Sequence, residues 1–454
     1  MKSWFNRLIK LFLTVVNSIG FRPAIISFWF LVASVGIVWA EQAYPVQQLT
    51  QSLAFWMFED KSNTVSLLNA VLTGMISLTV FSFSMVMVVL SQAASSFSPR
   101  VIPQVITEPV YQNTLGLYIG TIIYALILRL GIQADAASSS VTVPRLGLAL
   151  CMVLVVVCLG VFIFFIHTVS QSIRVDYMVE KLYRSTLKEL QEDLDNHVPA
   201  EATEPDSTGW VTLPFPDSGY YRGFRTKRLV ELTAAHDLQL KVLPTEGTFL
   251  VKGYPFLRVS RDIRQEEDVR EAVMQQFVSY DNEYLRDSAL HGFKRLMEIA
   301  IRALSPSTND PETAIKVIHY LTDLFAHQMA ARNAHLYLDD TATVRIVRTD
   351  PDLDEMFLRY LTPIRHYGKE DVVVLTTLLK AYRQLLFSDL ERRHTAPLLH
   401  HIQATLFDAD AHLDNPLDRE AVNGEVRYLN ALLIDTQLPE LSAEQQPSGG
   451  SWAL

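Results

Sequence analysis

No charged residue occurs between Lys61 and Arg100, and this gap constrains the fold more than any other feature of the chain. A helix at the surface of a soluble protein carries polar and charged side chains on its outer face, so an uncharged run of this length points to lipid as the solvent. Three more runs have the same character. The sequence predicts four spans, at about Pro23–Ala40, Val65–Leu90, Thr114–Leu130 and Leu146–His167. Each is close to the ~20 residues that cross ~30 Å of hydrocarbon.

The charges divide accordingly. Through Val169 there are eight basic and five acidic residues, a balance of +3, whereas the remainder carries −13 of the total of −10. Two solvents are implied, lipid for the front of the chain and water for the back. Lys2, Arg7, Lys10 and Arg22 precede the first span, and Arg174, Lys181, Arg184 and Lys188 follow the fourth. The loop after the first span carries Glu41, Glu59 and Asp60 against Lys61. By the positive-inside rule both termini are expected in the cytoplasm. Trp4, Phe5, Leu8, Ile9, Leu11 and Phe12 with Arg7 and Lys10 suit a helix lying in the headgroup plane. The competing reading is a cleaved signal, with Val38 and Ala40 as its small-residue site. A net charge of −10 argues against nucleic-acid binding, and two cysteines exclude a disulfide framework or a multi-cysteine metal site.

Span two carries a pattern of its own. At about 100° per residue, with Ser66 at 0°, Thr73, Ser77, Ser84, Ser91 and Ser95 fall within about 20° of it, and Asn69 lies about 60° to one side. These small polar residues form one stripe, opposite Val, Leu, Met and Phe. Such a stripe either packs closely on another helix or faces a wetted pore or cavity. Gly116 and Gly120 in span three have GxxxG spacing, which favours close backbone approach. No span has an acidic residue at its centre, which disfavours a proton-coupled pump. Arg129 can snorkel to the interface, His167 reads as interfacial, and Cys151 and Cys158 read as lipid- or core-facing.

Behind the spans, the expected fold is a cytoplasmic α+β region, making the whole an α-helical membrane protein with four transmembrane helices plus a small β-module followed by a helical domain. The expected divisions are a membrane domain at 1–169, a stalk helix and linker at 170–207, a β-module at 208–262, a helical domain at 263–441 and a disordered tail at 442–454. The stalk is expected to continue span four without interruption, and its apolar face (Val179, Leu182, Tyr183, Leu187, Leu190) reads as a possible subunit contact. Short strand-like runs at Trp210–Leu213, Leu238–Leu243, Phe249–Val251 and Phe256–Val259 are punctuated by Gly and Pro, with one helix at Arg225–Ala235. Gly247-Thr-Phe-Leu-Val-Lys-Gly253 resembles the closing hairpin of lipoyl- or biotinyl-like sandwich modules. No carrier lysine is recognisable in the middle hairpin, so an interaction module is the expectation and no cofactor is assigned. Apolar periodicity from Ala289 to Leu304 starts a series of helices, near 311–331, 353–364, 371–386, 396–407 and 419–433, with a strand at Thr343–Val347.

The densest polar cluster is the loop after the first of these helices. Pro306 stops the incoming helix, Asp310 can cap the next with Pro311 at its first position, and Ser305, Thr308 and Asn309 can satisfy loop amides. Alternatively Arg302, Ser305, Asn309 and Asp310 bind a ligand, either a small anion at the new helix terminus or a cation on Asn309 and Asp310. His400-His401 and the scattered His319, His327, His335, His366, His394 and His412 lack the spacing of a metal-ligand set, so no metal site is expected.

Four segments give the chain a family likeness: Ala94-Ser-Ser-Phe-Ser-Pro-Arg100, Ser218-Gly-Tyr220, Gly247–Gly253, and Ala303-Leu-Ser-Pro-Ser-Thr-Asn-Asp-Pro311 with Thr313-Ala314. With these it resembles bacterial membrane proteins grouped as domain of unknown function 2254. The resemblance covers nearly the whole chain and implies a four-span inner-membrane protein with a cytoplasmic domain and no established activity. The family often has Gly-Ile where this chain has Ser307-Thr308.

No HExxH, GxSxG, P-loop or GxGxxG motif occurs, so an enzyme is not expected. The leading reading is an oligomeric, channel-like protein with a regulatory cytoplasmic domain. The alternative is a membrane-anchored sensor or scaffold that binds a small anion or a protein partner. The expected partners are the lipid bilayer and further copies of the chain.

Overall fold

The computed structural model describes residues 20–40, 61–96, 109–134, 145–172, 174–195, 203–280, 289–330, 334–434 and 436–442. The amino-terminal interfacial helix, most of the Ala94–Arg100 motif and the tail from 443 lie outside them. The chain divides into two compact units, Met1–Met178 and Val179–Leu454.

The first unit contains helices α1 (Phe21–Ala40), α2 (Lys61–Ser96), α3 (Pro109–Ala134) and α4 (Arg145–Ser172). Among the described residues these four are long and apolar enough to cross a membrane, over 20, 30, 24 and 26 residues respectively. They coincide with the four expected spans. Helix α3 is the centre, packing on each of the other three. Its glycines make the contact with α1 possible. A Cβ on Gly116 would lie 2.8 Å from Ile26 Cδ1 and one on Gly120 would lie 2.7 Å from Phe30 Cγ, so the GxxxG pair seats α1 directly on the α3 backbone. Helix α2 contributes a seam of Leu68, Met75, Ser82 and Val89, all buried and spaced seven apart, the repeat of knobs-into-holes packing. Tyr118, Tyr124, Leu128, Cys151 and Cys158 complete the interior, so both cysteines face the helix core.

Helix α4 does not run unbroken into the stalk. It ends at Ser172, and α5 starts at Val175 (Val175–Asp195). The Arg174 amide bonds back to the Gln171 carbonyl at 3.1 Å, a tightened i→i−3 turn where the apolar run gives way to Gln171-Ser172.

In the second unit α5 is covered by its own chain. Val179, Thr186 and Leu190 are buried. Tyr183 stacks on Tyr320 with ring centroids 4.4 Å apart and donates to Asp323 Oδ2 at 2.7 Å. The face expected to contact another subunit therefore packs on the helices that follow.

The strands are β1 (Val211–Pro214), β2 (Gly219–Phe224), β3 (Leu240–Val242), β4 (Phe249–Leu250), β5 (Pro255–Val259), β6 (Phe277–Tyr280), β7 (Ala334–Leu338) and β8 (Val344–Thr349). Helices α6 (Thr226–Ala235) and α7 (Glu267–Met274) lie between strands in sequence. One sheet has the order β1-β5-β3-β8-β7 and the other β4-β2-β6. The β-module is therefore not closed at residue 262: β6, β7 and β8 complete its sheets from within the expected helical domain. Strand β8 runs parallel to β3, pairing Leu240 with Ile346, and Ile346 joins the module's buried core beside Leu240, Phe256 and Leu257. Nor are β4 and β5 a hairpin. Strand β4 pairs with β2 whereas β5 pairs with β1 and β3, and Gly253, at φ +88, turns the chain from one sheet to the other.

The remaining helices are α8 (Ala289–Ala303), α9 (Pro311–Ala330), α10 (Leu353–Tyr360), α11 (Thr362–Tyr367), α12 (Val372–Ser388), α13 (Thr395–His412) and α14 (Pro416–Leu432). The segment expected as one helix at 353–364 is two, because Pro363 restarts the chain after Leu361. Side-chain caps fix four starts: Asp310 accepts from the Thr313 amide, Asp352 from that of Glu355, Asp371 from those of Val373 and Val374, and Asn415 from that of Leu417. An aromatic file runs through the bundle core, from Tyr360 to Phe293 to Phe325 to Phe357, and ends on Tyr382 and His401.

Candidate functional site

Three places bear on function. The first is the α2 stripe. Ser66, Asn69, Thr73, Ser77, Ser84 and Ser91 are all exposed on the chain, and with about 100° per residue they lie opposite the buried seam of Leu68, Met75, Ser82 and Val89. The stripe is thus not used to pack α2 on α1, α3 or α4. Thr73, Ser77 and Ser84 each donate to the carbonyl four residues back, at 3.0, 2.9 and 2.9 Å. These bonds occupy the hydroxyl protons and leave oxygen lone pairs on the surface. The stripe is densest from Ser66 to Ser77. Beyond it, exposed Val80, Phe81, Met87 and Val88 interleave with Ser84 and Ser91. The Ser95 side chain lies outside the described residues.

The second place is the loop from α8 to α9. The Asn309 and Thr308 amides bond to the Ser305 carbonyl at 2.9 Å, and the Asp310 amide reaches back to Ala303 O at 2.8 Å. Asn309 takes φ +47, a left-handed conformation that asparagine tolerates better than most residues. Ser305 Oγ donates to the Arg302 carbonyl at 2.7 Å. Asp310 accepts from the Thr313 amide at 3.2 Å and the Thr313 hydroxyl at 2.6 Å. Arg302 is half-buried at the end of α8. Ser305, Asn309 and Asp310 therefore build the turn and cap α9, and the Asp310 carboxylate stands at the helix terminus where a bound anion would sit.

The third place was not legible from residue spacing. Helix α10 presents Asp354 to the consecutive His400 and His401 of α13. His401 Nε2 lies 3.1 Å and His400 Nδ1 3.4 Å from Asp354 Oδ1. His401 is buried, His400 exposed and Asp354 half-buried. Burial pushes the His401 imidazole below its ordinary pKa, against the opposing pull of Asp354, and so favours the neutral ring. The signal available in the sequence was the His-His pair itself. Its third member, 46 residues earlier than His400, is brought in only by the crossing of α10 and α13.

Four long apolar helices followed by a two-sheet and helical region define the class: a membrane protein with four candidate spans. Residues 16–384 match the family described as "Predicted membrane protein (DUF2254)", and the chain belongs to that family. Uncharacterized proteins of Mycobacterium bovis and Mycobacterium tuberculosis are each 24% identical to it over 321 residues, covering 66% of this chain and 59% of theirs. The chain thus spans about three-fifths of the length of the curated relatives it matches. No solved structure matches it.

Proposed function

We propose that the protein is an oligomeric, channel-like protein of the bacterial inner membrane, with both termini in the cytoplasm and a cytoplasmic region that regulates it. One observation carries this reading: the polar stripe of α2 is turned outward from its own four-helix unit. In hydrocarbon the Asn69 carboxamide and the stripe's hydroxyl oxygens would be poorly solvated. Several copies arranged with α2 towards a common axis put them against water or one another. The distribution of flanking charge supports the orientation.

The test is thiol accessibility. Cys151 and Cys158 are replaced, and single cysteines are placed at Ser66, Thr73, Ser77 and Ser84, with Met75 in the seam and Val156 on the exposed face of α4 as references. A membrane-impermeant, charged thiol reagent is expected to label stripe positions in proteoliposomes and to spare Met75 and Val156. Uniform protection along the stripe removes the pore and leaves the sensor or scaffold reading.

A further inference from the structure

We propose that Asp354, His400 and His401 form a binding site for a divalent first-row transition metal, Zn2+ foremost. The reading is independent of the pore.

The donor set is two imidazoles and one carboxylate, the borderline nitrogen and oxygen ligands that zinc and its neighbours prefer. One donor atom from each residue lies within 4.8 Å of the others. At metal–ligand distances of about 2.0–2.1 Å, the edges of a tetrahedral site are roughly 3.3 Å long. The two oxygen-to-nitrogen edges here are 3.1 and 3.4 Å. The remaining edge, between the two imidazoles, closes by a side-chain rotation of His400, whose side chain is 60% exposed and free to turn.

Asp354 has lone pairs enough to accept from both imidazoles, but hydrogen bonding alone does not require the exposed His400 to turn towards it. His400 stands in water, where its polar atoms have other partners, yet both rings converge on the same oxygen. Support around the site is of the kind that holds a ligand still. His401 is fixed edge-on against Phe357, with ring centroids 5.3 Å apart. Arg365, whose positive charge opposes a cation beside His401, is paired with Asp408 at 3.0 Å. Glu355 and Arg359 pair with one another along α10. Three protein ligands at a partly exposed position leave room for a water or another small ligand on the metal.

The test uses the tag-free full chain in detergent, stripped with a chelator. Titration with Co2+ is expected to give one ion per chain, with the visible bands of a low-coordinate nitrogen–oxygen site, and Zn2+ is expected to bleach them. Mg2+ is expected not to compete, because it disfavours imidazole. Asp354→Asn and His400→Ala are each expected to weaken Zn2+ binding by on the order of tenfold or more. His366→Ala, an exposed histidine elsewhere, is expected to leave it unchanged. His400 is solvent-facing, so its alanine variant keeps the bundle core intact, and its melting curve without metal verifies this. Failure of the stripped wild type to bind Co2+ or Zn2+ stoichiometrically overturns the proposal. So does affinity unchanged in both His400→Ala and Asp354→Asn, which would place any bound ion elsewhere.

Discussion

A Cβ on Gly292 would overlap the Oγ1 of Thr186 and stand 2.5 Å from its Cγ2. Helices α5 and α8 therefore meet with no room for a methyl group. Thr186 donates its hydroxyl to the Leu182 carbonyl at 2.8 Å, so its polar requirement is met within its own helix and the whole side chain can press on bare backbone. This contact joins the stalk to the bundle, together with the stacked Tyr183–Tyr320 pair.

Alanine at an exposed helical glycine normally gains about 1 kcal/mol from helix propensity. At Gly292 the sign reverses: Gly292→Ala is expected to destabilise the protein by about 1–3 kcal/mol through overpacking. At Gly424 in α14 a Cβ would meet nothing within 4 Å, and Gly424→Ala is expected to be neutral or stabilising. Chemical denaturation of both variants reads the difference. Equal behaviour would mean that α5 does not seat on α8.

The same logic applies inside the first unit. Gly120 receives the ring of Phe30, and leucine there would drive α1 away from α3. Gly120→Leu is expected to cost about 1–3 kcal/mol, read as a lowered melting temperature in detergent. Gly160, on an open face of α4, has no atom within 4 Å of its Cβ position, and Gly160→Leu is expected to melt like the wild type.

These glycines mark the line between what residue pattern discloses and what it does not. Spans are legible because lipid filters the sequence by length and charge, and the GxxxG pair is legible because its spacing is a helix period. The α2 stripe follows from that period too, but the period does not say which side of the helix packs, and only the buried seam opposite shows that the stripe faces outward. Gly292 gives no such signal, since its reason lies on a helix far earlier in the chain. Strand β8 is legible as a strand, yet nothing in Val344–Thr349 names β3 as its parallel neighbour, so residue pattern alone closes the β-module too early. The α8–α9 loop is legible as a cap because Asp310 and Pro311 act on adjacent backbone. Asp354 is hidden from the His400-His401 pair for the opposite reason: its role depends on how two distant helices cross.

The His335–Asp350 pair offers a pH test. Burial raises the pKa of the Asp350 carboxyl, but the hydrogen bond from His335 at 2.9 Å and the charge of Arg348 at 3.2 Å outweigh it and hold the pKa below the ordinary value. The folded carboxyl thus binds its proton less readily than the unfolded one. Its contribution is complete above the ordinary aspartate value of about 3.9 and is lost as pH falls through the depressed folded value. Asp350→Asn is expected to cost about 1.5–3 kcal/mol at neutral pH, the range for hydrogen bonds to a charged group. The gap from wild type is expected to narrow below about pH 4. Denaturant midpoints measured across that range check it. A gap that stays constant into acid would mean that the carboxylate charge contributes nothing.

Arg419 is the largest fully buried charged side chain among the described residues, at 1% exposure. Its Nη1 donates to the Leu413 and Asp410 carbonyls at 2.8 and 3.1 Å, its Nε reaches the Ser442 carbonyl, and it pairs with the Asp410 carboxylate. The guanidinium thereby ties the end of α13, the start of α14 and the segment after α14 to one point. Asn423 fastens the same segment, exchanging two bonds with the Leu441 backbone at 2.9 and 2.7 Å. Lysine cannot reproduce the planar fork, and methionine strands Asp410 and three carbonyls. Arg419→Met is expected to lower stability by about 3–5 kcal/mol, the cost of breaking a buried pair from one side. Arg419→Lys should fall between methionine and wild type. Because Ser442 loses its donor, proteolytic cleavage within 436–442 is expected to accelerate in both variants before the bundle melts. Cleavage there at the wild-type rate would show that Asn423, Leu438 and Leu441 hold the segment without Arg419.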